Sequence, residues 1–165
     1  MRLLLTLGMC FGLLFVAGCT SFRPLYGKGP TGEGVSTSLS AVSVPEQHTR
    51  SAQLVRNELL NAMGTEPARF TLRLNVTEAV IYVSTFTASN LRRQRFNLNA
   101  HYDLLYVSTG AILASGNSFS NVSFDTVRQP VADLQAANNA MQRAAQEVGQ
   151  DLRQRVAAYF ADHPV

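Results

Sequence analysis

The chain has 165 residues, of which 46% are apolar and 15% charged. That composition excludes a disordered chain and gives enough apolar material for the core of one domain. The formal charge of +3 is small, and it argues against nucleic acid as a partner.

Met1-Arg2 is followed by an uncharged apolar run from Leu3 to Val16. The run is shorter than the roughly 20 residues a spanning helix needs, so it reads as an export signal that is removed after use. It ends in Val16-Ala17-Gly18-Cys19, where two small residues precede a cysteine. This resembles the lipobox of bacterial lipoproteins. Residues 1–18 are then the signal peptide, and the Cys19 thiol carries a diacylglyceryl group, with palmitate as a typical acyl chain. The plain alternative is a signal peptide with an incidental cysteine. Cleavage before Cys19 removes Cys10 as well, so no intrachain disulfide can form and stability rests on packing. An anchor of two or more acyl chains holds a protein on a bilayer without crossing it. Residue 20 is Thr rather than Asp; by the sorting rule of Gram-negative lipoproteins this favours the outer membrane.

Residues 19–34 read as a lipidated N-terminus and tether. Gly27-Lys28-Gly29-Pro30-Thr31-Gly32-Glu33-Gly34 has no core-forming side chain. Phe22, Leu25 and Tyr26 are apolar for a linker, and Pro24 keeps Arg23 extended.

Residues 35–165 form the globular part. A strand is expected from Leu39 to Val44, ended by Pro45. A helix is expected from Thr49 to Met63, with Thr49 as N-cap, an apolar stripe at Ala52, Val55, Leu59 and Met63, and Gly64 as its stop. Phe70, Leu72, Leu74 and Val76 alternate with Thr71, Arg73, Asn75 and Thr77, the pattern of a half-buried strand that continues to about Val83. Phe96, Leu98, Ala100, Tyr102, Leu104 and Tyr106 give a third strand. Ser108-Thr109-Gly110-Ala111 is a turn, and a fourth strand runs from Ile112 to about Phe124. Pro130 opens a long amphipathic helix whose stripe runs through Val131, Leu134, Ala137, Met141, Ala144, Val148, Leu152 and Val156 to Tyr159 or Phe160. Its opposite face is rich in carboxamides, among them Gln135, Asn138, Asn139, Gln142, Gln146, Gln150 and Gln154. Gly149 is a weak point in it, worth roughly 1 kcal/mol against Ala. The order β-α-β-β-β-α predicts an α+β two-layer sandwich. It has a four-stranded mixed or antiparallel sheet with two helices on one face. The other face carries Arg73, Asn75, Thr77, Asn97, Asn99 and His101, polar but low in charge.

Four stretches of the chain resemble the LptE family of lipopolysaccharide-assembly lipoproteins. They are Val16-Ala17-Gly18-Cys19 with Phe22-Arg23-Pro24-Leu25-Tyr26-Gly27, the helix from Thr49 to Leu60, Tyr102-Asp103-Leu104 with Leu113-Ala114-Ser115-Gly116, and the helix from Ala136 to Phe160. The family usually has one residue between the cysteine and the phenylalanine, whereas Thr20 and Ser21 stand there in this chain. The resemblance implies a non-enzymatic subunit of lipopolysaccharide transport, lipid-anchored at the outer membrane. Such a subunit plugs the β-barrel LptD, assists its assembly and binds lipopolysaccharide.

Arg92-Arg93-Gln94-Arg95 is the densest charge in the chain. Arg92, Arg93 and Arg95 either contact lipid A phosphates or acidic groups of the barrel through guanidinium forks, or form a solvated strand end that deters edge pairing. His48, His101 and His163 lack metal-ligand spacing, and no Gly-x-Ser-x-Gly or Ser-x-x-Lys motif occurs, so neither metal, cofactor nor catalytic site is expected. Two other functions stay open: an auxiliary lipoprotein of an envelope ABC-type lipid transporter, and a lipid-anchored hydrolase.

Overall fold

The computed structural model describes residues 34–86 and 91–163. Cys19 and the segments expected as signal peptide and tether, up to residue 33, lie outside the described residues. The first element is α1 (Val35–Ser40), followed by β1 (Val42–Ser43) and α2 (Arg50–Leu60). Three long strands come next, β2 (Phe70–Phe86), β3 (Leu91–Tyr106) and β4 (Ile112–Thr126), and α3 (Pro130–Asp162) closes the chain. The fold is α+β, with one open mixed sheet in the order β1-β2-β3-β4.

The expected strand from Leu39 to Val44 is corrected here. Only Val42 and Ser43 pair, in parallel, with Phe70 and Thr71. The residues before them form the extra helix α1, so the sheet carries three helices rather than two. The physical reason is that Val35 and Leu39 stand four apart, which puts both on one helical face. Leu39 is buried in the core, and Val35 packs against the core.

β2, β3 and β4 pair antiparallel in chain order, with Leu74 opposite Tyr102 and Tyr102 opposite Gly116. The in-register triplets alternate between a core face and an outer face. Phe70, Leu72, Leu74, Phe96, Leu98, Ala100 and Leu104 face the helices and are buried. Arg73, Asn75, Thr77, Asn99 and His101 stand exposed on the other side, as the alternation requires, with Asn97 half-buried among them.

Thr49 caps α2, its Oγ1 accepting from the Ala52 N–H. The helix stops at Leu60, and Met63 is buried in the turn that follows. Gly64 takes φ +76° in that turn, a conformation that suits glycine. Pro130 sits in the first turn of α3, as its fixed φ favours.

α3 lies across β4 and β3, and α2 packs on α3 and on the start of β2. The contact between α3 and β4 is built from small residues. Ser118 and Ser120 are buried on β4, and Ser120 Oγ donates to Glu147 on α3, whose Ala140 and Ala144 are buried too. Tyr102 lies over Gly116, where an added Cβ would come within 3.0 Å of the ring. At the other end Phe70 is fully buried and packs at 4.9 Å on the Phe160 ring and at 5.6 Å on Tyr106.

The stripe expected on α3 holds from Ala137 onward but fails in its first turns. Val131 is 76% and Leu134 63% exposed. Pro130 follows closely on the end of β4, and these first turns stand at the end of the sheet farthest from α1 and β1, where the helices give them no cover.

Candidate functional site

β2 and β3 continue well past the part of the sheet that α2 covers. Beyond Thr71, β2 has no strand on its outer side among the described residues. Its distal half therefore offers an open edge and two partly uncovered faces. Val80 is opposite Phe96 on the core face and is 48% exposed; Tyr82, opposite Gln94, is 73% exposed. Ile81 points to the outer face opposite Arg95, and Val83 sits at a register shift between Tyr82 and Ser84. Val127, Val131 and Leu134 are exposed where β4 hands over to α3. Soluble surfaces scatter such residues singly; a cluster of them marks a contact surface.

The three candidate arginines lie in β3 beside this apolar end, and the strand divides them. Arg93 and Arg95 face outward, and Arg92 lies on the core side opposite Thr126. Arg93 makes a two-pronged hydrogen bond to Asp125 on β4, Nε to Oδ1 at 2.9 Å and Nη2 to Oδ2 at 3.1 Å. These hydrogen bonds hold the Asp125 carboxyl below its ordinary range and raise the Arg93 guanidinium above its own. The fork geometry that suits a phosphate is thus occupied by a carboxylate of the same sheet. Arg92 and Arg95 are half-buried and make no ion pair among the described residues. The sequence showed four adjacent positions but could not show that Asp125 falls opposite Arg93. That depends on strand register.

A second polar cluster crosses the outer face. Arg73 Nη2 lies 3.0 Å from Asp103 Oδ2, His101 Nε2 lies 3.4 Å from Asp103 Oδ1, and His101 Nδ1 lies 3.0 Å from Asn117 Oδ1. The ring nitrogens and carboxylate oxygens face one another, which makes this a cross-strand ladder holding three strands in register. Among the described residues no group of three or more metal-ligating side chains occurs. No described helix is long and apolar enough to cross a membrane.

No family model matches the chain, and no characterised protein matches it by sequence. Solved structures do match in fold. A candidate lipoprotein from Caulobacter crescentus CB15 superposes with a TM-score of 0.65 at 24% identity, over 79% of this chain and 98% of that one. A minor lipoprotein from Acinetobacter baumannii gives 0.54 at 10% identity, over 71% and 88% of the two chains. Rare lipoprotein B from Shewanella oneidensis gives 0.51 at 13% identity, over 74% and 96%. The class this fold defines is a small sheet-and-helix domain found in bacterial lipoproteins.

Proposed function

We propose that this chain is a lipid-anchored, non-enzymatic subunit of the outer membrane. In this reading it occupies and helps assemble the β-barrel LptD and takes part in delivering lipopolysaccharide to the outer leaflet. Cys19 carries the lipid. The observation that carries the reading is the amphipathic end of the sheet, where exposed Val80, Ile81, Tyr82 and Val83 adjoin Arg92 and Arg95. Apolar side chains beside guanidinium groups suit an amphiphile with anionic headgroups such as lipopolysaccharide. The lipoproteins that share the fold, and the resemblance of the Cys19–Gly27 segment to the LptE family, support the same assignment. Arg95 on the outer face and Arg92 on the core side are the ligand contacts in it, one on each side of the strand, and Arg93 keeps the strands in register through Asp125.

The test is purification of the full acylated chain in detergent from cells with a photocrosslinker at Tyr82. A crosslink to a large β-barrel, together with less surface lipopolysaccharide on depletion, is the expected result. Recovery of inner-membrane permease components would favour the transporter accessory instead. Absence of any barrel partner would end the proposal.

A further inference from the structure

The carboxamide-rich face of α3 does not serve the apolar end of the sheet. It lines a groove against α2. Asn57 on α2 and Asn61, its C-cap, face Gln142 and Gln146 on α3 across a hollow of about 370 Å³, with Leu54 and Ala145 also lining it. A second hollow of about 380 Å³ adjoins it, sharing Gln142 and Gln146 and adding Asn139 and Arg143. Both lie near the low end of the roughly 300–1,000 Å³ of small-molecule sites.

Glu58 completes the first hollow, and Gly149 sets its position. A Cβ at residue 149 would lie 2.7 Å from Glu58 Cγ and 2.8 Å from Glu58 Cβ, so only glycine lets the glutamate stem lie against α3. Among the described residues none of the side chains of Asn57, Glu58, Asn61, Gln142 and Gln146 makes an intramolecular hydrogen bond or ion pair. No described residue takes up their donors and acceptors.

We infer that this groove binds a saccharide. A carboxamide presents two donors and an acceptor, and a sugar hydroxyl both donates and accepts, so four carboxamides match a ring bearing several hydroxyls or an acetamido group. The part-exposed side chain of Leu54 suits the C–H face of a pyranose, and the buried Ala145 forms the floor beneath it. Glu58 accepts from two neighbouring hydroxyls and repels a phosphate, which separates this groove from the arginines on β3. Arg143 in the second hollow suits a carboxylate on the next residue. The ligand class is therefore a neutral or N-acetylated sugar followed by a carboxylate-bearing one. Peptidoglycan and the inner sugars of lipopolysaccharide are two sources of that chemistry. The inference is independent of the barrel reading, because it concerns the isolated chain.

The experiment uses the full chain in detergent micelles, isotopically labelled so that side-chain carboxamides are seen by NMR. One arm titrates N-acetylglucosaminyl-N-acetylmuramic acid, and the other titrates fully deacylated lipopolysaccharide. The expected result is movement of the Asn57, Asn61, Gln142 and Gln146 side-chain resonances, with an affinity that salt weakens only in part, through the Arg143 contact to the carboxylate. The arm that responds names the source, and a response in both leaves the shared chemistry. A Gln142→Ala/Gln146→Ala double variant, altered only at exposed side chains, should bind about tenfold or more weakly, since each lost hydrogen bond weakens binding several-fold. The inference fails if neither saccharide moves these resonances at millimolar concentration. It fails equally if the double variant binds as tightly as the parent, or if the shifts are confined to the Arg92 and Arg95 end.

Discussion

Gly149 shows how one residue can reverse its meaning between sequence and structure. In an isolated helix its replacement by alanine gains about 1 kcal/mol. In the folded chain the new methyl meets Glu58 at 2.7 Å and 2.8 Å. The contact is with the stem of the glutamate rather than its mobile end, and overpacking of that kind costs roughly 1–3 kcal/mol. Gly149→Ala should therefore destabilise the chain by about 1 kcal/mol, read as a lower midpoint in urea unfolding. A midpoint that rises would mean α2 can retreat from α3 at no cost. Arg128 is the opposite case. It holds φ 60° in the connection between β4 and α3, where a residue with a Cβ is strained by about 1–2 kcal/mol. The connection is fixed nearby by the Val127 N–H donating to Asp133 Oδ1 at 2.8 Å. Arg128→Gly should raise stability by about 0.5–1 kcal/mol, since glycine adopts that φ freely but loses more chain entropy on folding.

At the scale of elements, α3 is one continuous helix with two environments. From Ala140 to Phe160 it is the lid of the core, and Leu152 is fully buried there. Its first turns carry apolar residues that nothing in the described chain covers. Leu152→Ala should cost about 2–5 kcal/mol by cavity formation. Leu134→Ala should stay within about 0.5 kcal/mol, measured in the same unfolding experiment. A large loss from Leu134→Ala would show that the first turns pack in solution and are not available to a partner. The same contrast runs along β2: its first half is covered by α2, and its second half exposes Val80 to Val83. The hydrophobic alternation that marks a strand is clear in the first half and gives way in the second to the continuous apolar run Ala79 to Val83. Whether a face is covered depends on where the helices end, which no local pattern states.

For the whole molecule, stability rests on one core shared by three helices and one face of the sheet, with few ion pairs to support it. Among the described residues two carboxylates are held below their ordinary range. Asp125 is lowered by the Arg93 hydrogen bond. Burial pushes Asp151 up, but the hydrogen bond of Arg155, that of Ser118 and the charge of Arg155 together outweigh it and leave the carboxyl lowered. A carboxylate lowered in the folded state stabilises the fold above its unfolded pKa, about 3.9 for Asp, and loses that contribution as pH falls through the depressed folded value. The chain should thus lose stability as pH drops below about 4. Asp125→Asn should flatten part of that acid limb in pH-dependent thermal melts. Arg155→Ala should flatten another part, at a cost at neutral pH of no more than about 0.5 kcal/mol, since the pair is exposed and spaced i,i+4. Acid limbs unchanged in both variants would assign the titration to other groups.

The sequence by itself determined the two long helices, the three antiparallel strands and which side chains share a face of each. Those follow from periodicities of 3.6 and 2, from Thr49 and Pro130 at helix starts and from glycines at turns, all of which act within a few residues. It also placed an apolar leader and a small-residue cysteine motif at the N-terminus. Tertiary structure alone decided that Leu39 belongs behind a helix, that Arg93 faces Asp125, that Gly149 receives Glu58, and that the first turns of α3 stand uncovered. Each of these depends on which distant segments meet. Register across a sheet and the approach of two helices are set by the packing of the whole core.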